Sequence, residues 1–211
     1  MNPRDTILGA VRQHLGRAAS APVPAPPPVP LLGSLDLDAP ARLRQFGERL
    51  QAVGGHLHLG LDDGGLAAVQ QLLAFYQPKS IARSDAPAVA ALHAHSNLRS
   101  LGWLSPDTDR DELFAADLGI TAAQWAIAET GTLVLDMAQE RHRLASLLPP
   151  VHIALLPHSR ILCNLGEALK TIGRPLPPTI TFVTGPSRTA DIELQLVVGV
   201  HGPRELHVVV V

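Results

Sequence analysis

Two stretches of the sequence decide the fold: Val151-His-Ile-Ala-Leu-Leu156 and Glu205-Leu-His-Val-Val-Val-Val211. Each is an almost continuous apolar run of strand length, which is typical of a strand buried on both faces. Thr179–Thr184 is a third such run. Helical patterns alternate with predicted strands along the chain from residue 40, for example at 40–53 and 64–76. The alternation predicts an α/β fold: a mostly parallel sheet with helices on both faces.

Shorter elements complete this pattern. Trp125–Ala128 and Thr132–Met137 are predicted to form two strands joined through Glu129-Thr130-Gly131. Ser159 is predicted to cap a helix that carries apolar residues as far as Ile172, and the following Gly and Pro end it. Further predicted elements are strands at 56–60 and 79–83 and a helix at 86–99.

The N-terminal region differs from the rest of the chain. Residues 5–17 predict a short amphipathic helix, with Asp5 as a candidate cap. Six prolines between positions 22 and 30 predict a semi-rigid linker. We therefore divide the chain into an N-terminal helical arm (1–21), a Pro-rich linker (22–39) and an α/β domain (40–211). The apolar stripe of the arm must be buried on its own domain or on a partner, and a homo-oligomer is left open.

Composition excludes several classes of protein. The 211 residues are 46% hydrophobic and carry a formal net charge of −2, which excludes a dominantly electrostatic nucleic-acid binder. The single cysteine excludes an internal disulfide framework and a thiolate-based zinc or iron–sulfur site. No apolar run approaches the ~20 residues of a membrane helix. The N-terminus lacks the apolar core of a signal peptide, so we expect a cytoplasmic protein.

The first candidate site is Ala126-Ile-Ala-Glu129-Thr130-Gly131-Thr132. Burial between two apolar strands is expected to raise the pKa of the Glu129 carboxyl, which suits a general base or a nucleophile. The glycine allows a backbone to approach a ligand closely. The alternative is a hairpin corner in which Glu129 only accepts local hydrogen bonds, and the spacing leaves both interpretations open.

The second candidate is Gly185-Pro-Ser-Arg-Thr-Ala-Asp191, which lies between a strand and a helical pattern carried by Ile192, Leu196 and Gly199. Ligands of open α/β sheets bind beyond the carboxyl ends of strands, and helix N-termini favour anions. Arg188 would then clamp a carboxylate or phosphate. In the alternative, Ser187 or Thr189 is an ordinary helix cap, and Arg188 pairs with a nearby acidic residue.

The third candidate is the turn Gly199-Val-His201-Gly202-Pro-Arg204. It would bring His201 to a sheet edge as an acid–base group, although a histidine in a turn is more often structural. Neither a metal site nor a cofactor is predicted, because the histidines lack a third ligand at suitable spacing. The sequence also contains no dinucleotide fingerprint and no phosphate-binding loop.

Three segments in order resemble the lactate-utilization protein C family of LUD-domain proteins. They are AIAETGTLVLD (126–136), R..SLLP.VHIAL (143–155) and TFVTGPSRTADIELQLVVGVHGPRELHVVVV (181–211). The last segment is highly specific, whereas AETGT alone is only moderately so. The resemblance extends from about Asp117 to Val211.

The resemblance implies a fold like that of the ribose-phosphate isomerase and CoA-transferase superfamily. It also implies a non-redox role in oxidising L-lactate to pyruvate alongside iron–sulfur partner proteins, with a small carboxylate as substrate. Glu129 would be the catalytic residue. The implied substrate-binding residues are Thr130, Gly131, Thr132, Gly185, Ser187, Arg188, Thr189, Asp191, His201 and Gly202.

A second function from a different class stays open. Glu129-Thr130-Gly131 resembles the Glu-Asn-Gly turn that carries the nucleophile of family I CoA transferases, but threonine replaces asparagine. The alternative is therefore a stand-alone isomerase or CoA-transferase-like enzyme that acts on a phosphorylated or CoA-linked metabolite.

Overall fold

A computed structural model describes residues 2–16, 37–141, 143–172, 176–189, 197–198 and 202–211. The chain divides into two compact units, Met1–Leu32 and Gly33–Val211. The arm and linker boundaries at residues 21 and 39 remain predictions. None of the helices in the described ranges combines the length and apolar character needed to cross a bilayer.

In the first unit, helix α1 spans Pro3–His14. Its N-cap is Asn2, whose side chain accepts a hydrogen bond from the Arg4 backbone N–H at 3.1 Å, and not Asp5 as predicted. Proline suits the first helical position because its missing N–H would have no partner there. The predicted apolar stripe is exposed in this unit at Ile7, Val11 and Leu15.

The second unit alternates helices and strands. Its α-helices are α2 (Ala39–Ala52), α3 (Leu66–Tyr76), α4 (Pro87–His93), α5 (Arg110–Phe114), α6 (Met137–Glu140), α7 (Leu144–Leu147) and α8 (Leu165–Ile172). Its strands are β1 (His56–Leu59), β2 (Ile81–Arg83), β3 (Trp103–Leu104), β4 (Leu118–Ala122), β5 (Trp125–Ile127), β6 (Thr132–Asp136), β7 (Val151–Leu156), β8 (Ile161–Leu162), β9 (Ile180–Val183), β10 (Arg188–Thr189), β11 (Val197–Val198) and β12 (Glu205–Val210).

The predicted parallel sheet is confirmed. Six strands lie in the order β1-β12-β7-β4-β2-β3, and every neighbouring pair is parallel. Strands β7 and β12 are neighbours in its interior, and all six residues of β7 are buried. The two apolar runs quoted first are therefore the centre of the sheet.

Both faces of this sheet are covered. Helices α3 and α4 pack on one face through Val69, Leu72 and Val89, against Ile120, Ile153 and Val209. Helix α2 packs on the other face through Phe46 and Leu50. A second sheet also covers this face, which the sequence analysis did not predict.

The second sheet has the strand order β8-β5-β6-β9. The predicted hairpin is confirmed as β5 and β6, which pair antiparallel. The strand predicted at 179–184 also forms, but it pairs antiparallel with β6 and not with the parallel sheet. The choice between sheets depends on residues distant in sequence.

The helix predicted to start at Ser159 begins instead at Leu165. His158–Arg160 form a single 3₁₀ turn, and Ile161–Leu162 form β8, parallel to β5. Ile161 is 2% exposed, and it faces the apolar cluster of α2 and the second sheet. Burial in a sheet therefore prevails over the helical pattern at these two residues.

Candidate functional site

Two glycine turns meet at the carboxyl end of α2. Gly131 (φ 67°) and Gly185 (φ 82°) are both in the left-handed region, which favours glycine. A Cβ on Gly131 would lie 2.8 Å from the Leu50 Cα, and one on Gly185 would lie 2.7 Å from the Val53 carbonyl oxygen. Two segments far apart in sequence, each predicted as part of a site, thus pack against one helix end.

Arg188 also binds this helix end. Its Nη2 donates a hydrogen bond of 2.6 Å to the Val53 carbonyl. Carbonyls in the last turn of a helix lack intrahelical partners, and a cation there is favourable. This contact shows a structural use of Arg188, while its predicted role as an anion clamp remains a prediction.

Three threonine hydroxyls connect the two turns. Thr132 Oγ1 lies 2.7 Å from Thr130 Oγ1 and 2.8 Å from Thr184 Oγ1. Thr132 is buried, whereas the two outer threonines are exposed. This chain links the β5–β6 hairpin to the end of β9 and holds Thr130 and Thr132, both predicted site residues, in fixed positions.

Replacing Thr132 by valine is expected to lower the free energy of unfolding by about 1–2 kcal/mol, because it removes the central member of two hydrogen bonds. Thr130→Val is the matched control: it removes only one bond, at an exposed position, and is expected to cost less than about 1 kcal/mol. Urea denaturation of the two variants measures the difference. Equal losses would show that the central hydroxyl has no special role.

A cavity of about 220 Å³ lies behind the Gly185 turn. It is lined by His152, Thr184, Gly185, Ser187, Gly202, Leu206 and further residues. The Ser187 backbone N–H donates to the Pro203 carbonyl at 2.8 Å, which joins the second and third predicted motifs. Gly185, Ser187 and Gly202, all predicted binding residues, therefore lie around one cavity.

The position of this cavity in the sheet corrects an expectation. His152 and Leu206 are the second residues of β7 and β12, so the cavity lies at the amino ends of these parallel strands. The predicted position beyond the carboxyl ends of the parallel sheet is wrong, because the 185–189 turn follows β9, a strand of the other sheet.

The predicted helix after this turn is also partly wrong. Arg188–Thr189 and Val197–Val198 pair as the antiparallel strands β10 and β11, so Val197–Val198 are not helical. Asp191 and His201 lie outside the described residues, as do Ile192, Leu196 and Gly199 of the predicted helix and the side chain of Thr189.

His152 is the residue that the sequence analysis missed. It is fully buried, and its Nε2 lies 2.8 Å from Thr121 Oγ1. Its Nδ1 has no hydrogen-bond partner in the described part of the chain. Burial, with a smaller contribution from His207, lowers the pKa of His152 to about 4, so the ring is neutral at pH 7. A polar residue inside the apolar run 151–156 was the available signal.

Glu129 does not have the burial predicted for it. Its side chain is exposed at the hairpin corner, while its backbone N–H donates to the Cys163 carbonyl at 3.1 Å. The expectation of a buried carboxyl is therefore wrong, because the corner projects from the sheet instead of lying between its strands. The catalytic role of Glu129 remains a prediction.

An open apolar cleft of about 370 Å³ adjoins the threonine chain. Leu165, Leu169 and Phe182 line it and are 46%, 57% and 42% exposed. Thr184 and Phe182 line both this cleft and the cavity of His152. The two spaces therefore flank the end of β9.

The His152 cavity offers hydroxyl groups and a neutral imidazole but no charged side chain among its described lining residues. Such a lining can hydrogen-bond one carboxylate or hydroxyl group of a small ligand and pack an apolar group beside it. Among the described residues, no group of three or more His, Cys, Asp and Glu side chains is arranged to hold a metal ion.

A parallel sheet backed by a smaller mixed sheet, with a cavity lined by Gly185, Ser187, Gly202 and Pro203, defines the class of α/β domain to which this chain belongs. The chain belongs to the LUD domain family, whose model matches residues 43–211. It is 47% identical over 109 residues to lactate utilization protein C 1 of Bacillus mycoides, covering 48% of this chain and 47% of that protein. It is 44% identical over 94 residues to lactate utilization protein C of Bacillus subtilis, covering 42% and 39%.

These matches span about half the length of the curated relatives or less. One solved structure matches a larger share of the chain. A crystal structure of a DUF162 family protein from Deinococcus radiodurans is similar with a TM-score of 0.61 and 26% identity. The similarity covers 82% of this chain and 98% of that one.

Proposed function

We propose that this protein is a cytoplasmic, non-redox component of an L-lactate utilization system. The observation that carries the proposal is the 40–47% identity to several proteins named lactate utilization protein C. The same identity supports L-lactate or pyruvate as the small carboxylate that this chain binds.

The His152 cavity is the binding site in this proposal. Its volume of about 220 Å³ lies below the ~300–1,000 Å³ of pockets for drug-sized ligands, which favours a small metabolite. Ser187 and Thr184 present hydroxyl groups, and the free Nδ1 of His152 can make one more hydrogen bond. Leu206 supplies an apolar wall suited to a methyl group.

In this proposal the electrons leave through another protein. Oxidation of L-lactate to pyruvate releases two electrons and two protons, and iron–sulfur clusters are held by several cysteine thiolates. This chain has one cysteine, Cys163, which is buried. Iron–sulfur partner proteins are therefore the proposed electron acceptors, and this chain is proposed to hold the substrate.

Glu129 is the proposed general base. Its side chain is exposed, and the neighbouring Thr130 lines the apolar cleft, which shares Phe182 and Thr184 with the His152 cavity. Closure by a partner would exclude water around the carboxylate and bring about the desolvation that a general base requires.

Growth on L-lactate tests the proposal. A strain without this gene is expected to regain growth with the wild-type gene and with Glu112→Gln, an exposed glutamate of α5. Glu129→Gln keeps the shape but cannot accept the proton, so lactate consumption is expected to fall about 100-fold. Immunoblots must show equal protein levels.

The three contrary outcomes lead to different conclusions. Wild-type rescue with unchanged consumption in Glu129→Gln removes the base from the proposal but leaves the lactate role intact. No difference between the deleted and the rescued strain would overturn the lactate role itself. Turnover of a phosphorylated or CoA-linked metabolite by the isolated chain would instead support the stand-alone enzyme.

A further inference from the structure

A second cavity of about 230 Å³ lies at the carboxyl ends of three adjacent parallel strands. Ala86 follows β2, Ala122 ends β4 and Pro157 follows β7, and all three line the cavity. His152 lies near the opposite end of β7, so this cavity is separate from the site described above. Open α/β sheets bind ligands at this edge.

One of the residues that line the cavity carries a polar atom without a partner in the described structure. The indole Nε1 of Trp125 is buried, yet no acceptor for it exists among the described residues. An indole N–H can only donate, and a buried donor without an acceptor is costly. An acceptor atom bound at this wall would satisfy the N–H.

Arg160 provides the charge. Its side chain is exposed and lines the same cavity, and no ion pair or side-chain hydrogen bond involves it within the described ranges. No acidic residue lines the cavity in the described part of the chain. A free guanidinium beside a free N–H is a combination that binds an oxyanion.

The other amide groups of the wall are already used. Gln124 Nε2 donates to Glu140 at 2.7 Å and to the Ala122 carbonyl at 3.1 Å, and its Oε1 accepts from the Asp136 N–H at 2.6 Å. Gln139 Nε2 donates to Asp136 at 3.2 Å. These bonds engage the Gln124 amide and the carboxylates of Glu140 and Asp136, whereas the Trp125 N–H and the Arg160 guanidinium have no partner among the described residues.

We propose that this cavity is a binding site for a small oxyanion, a carboxylate or phosphoryl group, held by the Arg160 guanidinium and the Trp125 indole N–H. The site is independent of the proposed lactate role, and its occupant is a metabolite of few atoms because the cavity is small. Trp125 is the first residue of β5, and Arg160 immediately precedes β8. Because these two strands pair with Ala126 opposite Ile161, the two residues lie at the same end of the strand pair.

The two tryptophans of the chain make the site observable. Trp103→Phe leaves Trp125 as the single tryptophan, which excitation at a wavelength absorbed only by indole selects over Tyr76. The fluorescence of this variant is expected to change saturably on titration with inorganic phosphate or with acetate at constant ionic strength, and not with potassium chloride. The stronger response of the two identifies the oxyanion class. Calorimetry on the unmodified chain checks the same affinity without the substitution.

Two variants test the donors. Arg160→Gln is expected to weaken binding of the better anion about tenfold or more, and Trp125→Phe to weaken it about tenfold in calorimetry, since each removes one donor. The matched control is Arg110→Gln, an exposed arginine at the start of α5, which is expected to leave affinity within about twofold. Thermal melts confirm that each variant is folded.

A response that does not saturate, or that chloride reproduces, would overturn the site. Equal affinities for Arg160→Gln and Arg110→Gln would do the same. Growth of the complemented strain on L-lactate is not affected by either outcome, so this proposal and the lactate role fail separately.

Discussion

Replacing Gly131 by alanine is expected to lower the free energy of unfolding by about 3 kcal/mol. Its φ of 67° costs an L-residue about 1–2 kcal/mol. The added Cβ would also overlap the backbone of α2, lying 2.6 Å from the Arg49 carbonyl carbon, and either the hairpin or the helix must shift. Overpacking of this kind costs about 1–3 kcal/mol more.

Gly64→Ala is the matched control for Gly131→Ala. Gly64 also has a positive φ, 64°, but a Cβ there would meet no atom within 4 Å. It therefore reports the backbone cost alone, about 1–2 kcal/mol. Urea denaturation of both variants isolates the contact with α2. Equal losses would contradict the close packing of the Glu129-Thr130-Gly131 turn on this helix.

Lowering the pH from 7 to 5 is expected to destabilise the fold through two buried histidines. Burial lowers the pKa of His152 and of His207 from 6.5 to about 4. At pH 5 the unfolded chain binds about one more proton at each ring than the folded chain, so stability falls with pH. Each histidine contributes a loss of about 2 kcal/mol at pH 5, and the loss approaches completion near pH 4.

The surroundings of His207 explain its low pKa. Besides burial, His56 stacks on it with ring centroids 4.9 Å apart, and His58 Nε2 lies 3.0 Å from its Nδ1. The hydroxyl oxygen of Tyr76 lies 2.7 Å from the Nε2 of His207. Glu205, 3.6 Å away, favours the protonated form and opposes these effects in part. His56 and His58 both belong to β1, and His207 comes from the neighbouring strand β12.

Glu140 has the opposite effect on stability as the pH falls. Burial raises the pKa of the Glu140 carboxyl, so the folded state gains stability as pH falls through that raised value. The lowered pKa values of Asp85 and Asp117 matter only below their ordinary value of 3.8, outside the window from pH 7 to pH 5. The pH dependence of wild-type stability therefore combines the effects of the histidines and of Glu140. The difference in this dependence between a histidine variant and the wild type isolates the contribution of that histidine.

Urea denaturation at pH 5, 6 and 7 checks this prediction. His152→Gln and His207→Gln are each expected to lose about 2 kcal/mol less than the wild type between pH 7 and pH 5. His95→Gln, at an exposed position after α4, is expected to change this loss little. A loss that is the same in all four proteins would contradict neutral buried rings at His152 and His207.

Much of the candidate site could be predicted from local sequence, but its burial could not. The three motifs contain Gly131, Gly185 and Gly202, and all three lie in turns at the site. Local sequence could not show that Glu129 is exposed, because the direction of a hairpin corner depends on what the sheet packs against. It could not show that Arg188 binds the end of α2, because Val53, the C-cap residue of that helix, lies 135 residues earlier in sequence.

The sequence by itself determined the central parallel sheet. Val151–Leu156 and residues 206–210 are buried on both faces, as their almost continuous apolar composition predicts. The β5–β6 hairpin could likewise be predicted from residues adjacent in sequence. The family was determined in the same way, from the motif string that ends the chain.

Only the tertiary structure decided how these elements combine. Ile161–Leu162 became a strand, and β9 joined the second sheet, because their partners Ala126 and Leu133 come from distant segments. The free Nδ1 of His152 likewise depends on which groups reach it across the fold. Hydrogen bonding and burial are properties of neighbours in space, and a single sequence does not show which neighbours those are.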